Sequence, residues 1–143
     1  MAVRVRVRLE IGERQVVTAA LANSGFESEE PEVIVPVRVA ERLGIYPKLP
    51  AGSEVENYEG VGGSVVKAFI IKGLLRVSVL SGDRSVGPIT ATVVITPGEE
   101  EVILSDKAMD ALRLVLLRPG EGVWRFADDA AGIERRSVAR EAW

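Results

Sequence analysis

The chain has 143 residues, enough for one domain that buries roughly two-thirds of its unfolded surface. Eighteen basic against twenty-one acidic side chains leave a net charge of −3, which does not supply the basic face that a phosphate backbone needs. With no cysteine and no histidine, disulfides, Ser-His and Cys-His nucleophiles and the usual zinc and iron sites are excluded.

Any chemistry must therefore use carboxylates, hydroxyls, lysines or backbone groups. No calcium-loop spacing marks an all-oxygen metal site, so neither metal nor cofactor is called for. Hydrophobic residues make up 47% of the chain, yet no apolar run approaches the ~18–20 residues of a membrane span. The first residues alternate Val and Arg rather than forming the apolar core of a signal peptide. The expectation is a cytoplasmic protein with no membrane partner and no nucleic-acid partner. Many Val, Arg and Glu with few Asn and Gln would suit a thermophile.

Val3, Val5, Val7 and Leu9 alternate with Arg4, Arg6, Arg8 and Glu10 at period two, the pattern of a half-buried strand with one charged face. Arginines on an outer strand also discourage unwanted edge pairing. Gly12 and Glu13 make a turn, and residues 15–22 return as the second strand of a hairpin. Val16-Val17-Thr18-Ala19-Ala20-Leu21-Ala22 is a buried, β-favouring run that stops abruptly at Asn23-Ser24-Gly25. A small polar residue, a hydroxyl and a glycine after a buried strand describe a tight loop facing a cavity.

An acidic loop follows over 27–32, then a short extended stretch at 33–35. Pro36 opens a helix over 37–43 that Gly44 stops, with Val37, Ala40 and Leu43 facing the core. Residues 55–58 and 65–71 read as two strands around the glycine-rich tip Gly60-Val61-Gly62-Gly63, a hairpin whose end can move. Two more strands are expected at 74–80 and 89–95, and a short one at 102–104. A helix over 106–112 takes its cap from Ser105 or Asp106, and residues 114–117 and 123–126 close as a hairpin in which Trp124 serves core or dimer packing. The domain is read as 1–126, leaving 127–143 as a mobile tail or short helix.

Apolar strand, then Asp-Thr/Ser-Gly, then a short helix is how a retropepsin-like aspartic peptidase presents its catalytic carboxylate, and this chain resembles that family. The phrase Val39-Ala40-Glu41-Arg42-Leu43-Gly44-Ile45 is similar to the helix after the family's catalytic loop. Ile103-Leu104-Ser105 fits its hydrophobic-hydrophobic-glycine strand, except that serine replaces glycine. The resemblance implies a mostly β, closed barrel with one or two short helices, and a homodimer in which each subunit gives one loop to a site on the two-fold axis. It implies Asn23, Ser24 and Gly25 as the catalytic loop. It also implies Gly60, Val61, Gly62 and Gly63 as a flap that, with Glu27, lines a cleft for an extended peptide or protein segment.

Asn23 stands where the resemblance calls for aspartate. Two facing aspartates share a proton and divide the roles of base and acid, whereas asparagine keeps the shape but does not titrate near neutrality. Three accounts stay open: a relative that binds without cutting, an Asp→Asn change in a working peptidase, and chemistry moved to Glu27 or Asp106. A non-catalytic dimerisation module that kept the fold is the alternative from another class, and a nucleic-acid binder using Arg4, Arg6 and Arg8 is a third reading.

Overall fold

The alternation in the first strand sets the wall of a barrel. In the computed structural model, which describes residues 2–23, 25–59 and 61–143, β1 (Arg4–Ile11) buries Val5, Val7 and Leu9 and turns Arg4, Arg6 and Arg8 to the other face. It pairs antiparallel with β2 (Arg14–Ala22) on one side. On its other side it pairs with β5 (Val65–Leu80), through Arg6↔Leu80 to Glu10↔Arg76.

Between these two neighbours run β7 (Val102–Leu104), β3 (Glu32–Val35) and β6 (Ser85–Ile95), so the order β1-β2-β7-β3-β6-β5 returns to β1. The result is a closed, six-stranded barrel of mostly β structure. Closure leaves no free edge among these strands and lets Val, Ala, Leu and Ile from every strand meet in one core. The pairs β2–β7 and β3–β6 are parallel, which brings the ends of β2 and β7 to the same place.

Two short helices seal the barrel. Helix α1 (Val37–Arg42) buries Val39 and Ala40, and Gly44 at φ 77° ends it in a left-handed turn that glycine adopts without strain. Helix α2 (Asp106–Ala111) is capped by Ser105, whose buried Oγ accepts the Ala108 N–H at 3.2 Å and the Glu32 N–H at 3.0 Å. One hydroxyl thus ends a helix and ties it to β3. The serine that departs from the expected glycine is a structural fastener.

The expected strands at 65–71 and 74–80 are one. β5 runs sixteen residues, and its pairing with β6 shifts between Ile71 and Leu75. Gly73, at φ 69°, sits in that irregularity and bends the strand without ending it. Its first half pairs with β4 (Glu54–Glu59), an exposed hairpin that projects from the barrel.

A second sheet joins β8 (Leu114–Arg118), β9 (Val123–Phe126) and β10 (Arg135–Arg136). Trp124 and Phe126 are buried and meet edge to face. The last strand belongs to the segment expected as a mobile tail or short helix. That segment contains no helix and lies along the barrel. The Val138 N–H donates to the Arg4 carbonyl at 3.0 Å, and the Trp143 indole donates to Thr18 Oγ1 at 2.9 Å. Glu141 pairs with Arg6 at 2.9 Å, and Glu101 with Arg4 at 2.7 Å. Two of the arginines that the third reading offered to nucleic acid therefore hold carboxylates of their own chain.

Arg135 fastens the second sheet to the β5–β6 turn. Its guanidinium lies over the Phe126 ring and bonds Asp129 at 2.8 Å and Asp83 at 2.6 Å. Asp129 also accepts the Phe126 N–H at 2.8 Å. Arg135 outweighs burial and holds the Asp129 carboxyl well below the usual aspartate range.

Two outcomes are expected. Ser105→Ala strands two N–H donors and should lower unfolding free energy by about 2 kcal/mol in urea denaturation, with the slope unchanged. A carboxyl whose folded pKa lies below its unfolded value stabilises fully above the ordinary value near ~3.9 and loses that contribution as pH falls. The melting temperature should therefore drop more steeply with acidification below about pH 4 in the native chain than in Asp129→Asn.

Candidate functional site

β2 is built to reach the barrel's end in tight contact with its neighbour. Ala20 and Ala22 are buried and sit opposite Val102 and Leu104 of the parallel strand β7. The Ala22 N–H donates to the Val3 carbonyl at 3.0 Å, and the strand then stops at Asn23.

The turn that follows closes on the asparagine side chain. Asn23 Oδ1 accepts the Gly25 N–H at 3.0 Å, and the Asn23 carbonyl accepts the Phe26 N–H at 3.2 Å. Asparagine and aspartate both close such turns, because a side-chain oxygen three bonds from Cα reaches the N–H two residues on. The donor fixes which end of the amide is oxygen: Oδ1 faces the loop and Nδ2 faces out. A Cβ on Gly25 would lie 3.2 Å from Asn23 Oδ1, so a side chain there would press on this contact.

The loop is tied to the second helix as well. The Asp106 N–H donates to the Phe26 carbonyl at 2.9 Å, placing the start of α2 against it. Asp106 Oδ1 is buried and has no hydrogen-bond partner among the described residues. Glu27, the other acid considered for the site, is exposed. Beside Asn23 lies a cavity of about 310 Å³ walled by Val3, Leu21 and Ala22, by Leu116 of β8 and by Pro119 in the turn after it. Leu116 and Pro119 were not legible as neighbours of Asn23, because only the packing of the second sheet on the barrel brings them there.

Of the hairpin tip, Gly62 and Gly63 are exposed, with open space where a Cβ would stand. Ser24, Gly60 and the Val61 side chain lie outside the described residues. Toward the root of the hairpin the surface turns acidic. A cavity of about 440 Å³ is lined by Glu29, Glu30, Glu32, Glu54 and Glu56, with Lys72. Burial, reinforced by Glu30 and Glu56, pushes the Glu32 carboxyl above its ordinary value.

As it stands, the loop offers a neutral donor at its outward face. An aspartate in the same conformation would keep the Gly25 bond with one oxygen and present the other where Nδ2 now points. The architecture of barrel, loop, helix and projecting hairpin defines a retropepsin-like fold. Among solved structures, the retroviral protease-like domain of Ddi1 from Leishmania major matches with a TM-score of 0.53 over 97% of both chains, at 13% identity. No family model and no curated protein matches the sequence.

If Oδ1 closes the turn, Asn23→Asp should preserve the Gly25 amide proton's hydrogen-bonded chemical shift, and Asn23→Ala should move it to a solvent-exposed value. The check is a pair of amide NMR spectra.

Proposed function

We propose that this chain is a retropepsin-like, aspartic-peptidase-family protein that works as a homodimer and holds an extended peptide in a cleft on the two-fold axis. The observation that carries the reading is the Asn23–Gly25 hydrogen bond at the end of a buried strand, in a barrel of retropepsin-like fold. The Gly60–Gly63 hairpin tips act as flaps over the cleft, and strand-like backbone pairing holds the peptide.

With Asn23 in both subunits, the site has neither general base nor general acid. Each such role is worth on the order of 10²–10⁴ in rate, so the chain as written binds peptide with hydrolysis nearly abolished. The same amide supports a second reading, a dimerisation or interaction module that kept the fold for structure alone. The two readings differ in whether a working cleft survives.

The test compares the native chain with Asn23→Asp against a mixed peptide library at acidic and neutral pH. Cleavage by the aspartate form, at least about a hundredfold faster than by the native chain, is the expected result. If neither form cuts, the peptidase reading gives way to the module.

A further inference from the structure

A third cavity, of about 710 Å³, lies at the opposite end of β2 from the Asn23 loop and is lined by Arg14, Arg38, Glu41, Arg42 and Trp143. Arg14 opens β2 and Asn23 follows its end, so nine residues at ~3.3 Å each separate the two places by roughly 30 Å. The cavity is thus distinct from the proposed cleft.

Arg4, Arg6, Arg84, Arg118, Arg135 and Arg140 all grip carboxylates. Arg14, Arg38 and Arg42 form no ion pair among the described residues, although Glu41 stands in the same cavity. Arg38 and Arg42 are four residues apart on α1 and so share a face, where like charges repel.

Two of these exposed side chains nevertheless have fixed neighbours. Arg14 lies flat on Gly44, with its Nε only 2.9 Å from where a glycine Cβ would stand, so any larger residue at 44 would push the guanidinium away. The Arg42 guanidinium lies 5.4 Å over the Trp143 ring, a cation–π contact. Trp143 is itself fixed at both ends, its indole N–H on Thr18 Oγ1 and its backbone N–H on the Glu100 carbonyl, each at 2.9 Å. Three guanidinium groups from a hairpin turn and a helix therefore share one open volume with Glu41, the acidic side chain of the lining.

We propose that this cavity binds a phosphate-bearing anion. Guanidinium forks match phosphate oxygens in pairs. Three arginines outnumber Glu41, the acidic side chain of the lining, and a phosphate dianion brings them more negative charge than a single carboxylate. The volume also admits more than one phosphate group. Binding recovers the electrostatic cost of holding Arg38 and Arg42 side by side, and it pulls Arg42 from the Trp143 ring.

Trp143 is therefore the reporter. Titration of the full chain with pyrophosphate, inorganic phosphate and a mononucleotide, at constant ionic strength, should give a saturable change in tryptophan fluorescence that is absent from Trp143→Phe. Affinity should fall at least tenfold in both Arg38→Gln and Arg42→Gln, surface changes that leave the melting temperature near that of the native chain. Tighter saturation by the mononucleotide would support a nucleotide as the source of the phosphate, and equal or tighter saturation by pyrophosphate a free phosphate compound. No saturable change with any of the three, an equal change with sodium chloride, or undiminished affinity in the arginine variants overturns the proposal.

Discussion

Everything in this molecule depends on β1 having a hydrogen-bonded neighbour on each side. Its pairing with β2 is local and follows from a tight turn, but its pairing with β5 joins residues some seventy positions apart and converts a sheet into a barrel. Once the barrel closes, the apolar face of every wall strand points into one core and the charged face of β1 points outward. The outward arginines then anchor the C-terminal segment through Glu141 and, with Glu101, secure the loop before β7. The two ends of β2 become two chemically different places: an amide-closed loop at one, an unpaired arginine group at the other.

The Asn23 loop separates shape from reactivity. Its conformation is set by an oxygen that amide and carboxylate share, and by the Phe26–Asp106 backbone bond that positions α2. Its capacity for acid–base work is set by the atom that differs. Nothing in the fold needs that atom to be nitrogen, since it faces outward and takes no part in closing the turn. Replacing one by the other is thus a change in chemistry at nearly constant architecture, which is why a single substitution suffices to test for a surviving peptidase site.

Local pattern made much of the fold legible. The Val/Arg alternation of β1, the Pro36 and Gly44 boundaries of α1 and the Ser105 cap each express a constraint acting within a few residues, and each appears in the structure near its expected place. Gly73 misled because a glycine between two apolar runs reads as a break, whereas the neighbouring β6 absorbs the irregularity and keeps the strand continuous. The docking of residues 137–143 was invisible for a different reason. It rests on partners such as Arg4 and Thr18, more than a hundred positions away, and on backbone bonds that carry no side-chain signature. The arginine cavity is hidden in the same way, since Arg14 and Arg42 meet only after the hairpin turn packs on the end of α1.

The central claim is that two copies of the Asn23 loop face one another across a two-fold axis. Because the chain contains no cysteine, a single Asn23→Cys substitution creates one thiol per subunit, and a disulfide between copies forms only where the two Cα atoms come within about 7 Å. Under mild oxidation, Asn23→Cys should convert to a covalent dimer on a non-reducing gel, while Glu13→Cys, at the far hairpin turn, should stay at the 15.4 kDa of one chain. A native chain that sediments as a monomer, or a dimer that links through position 13 and not through position 23, would contradict the account.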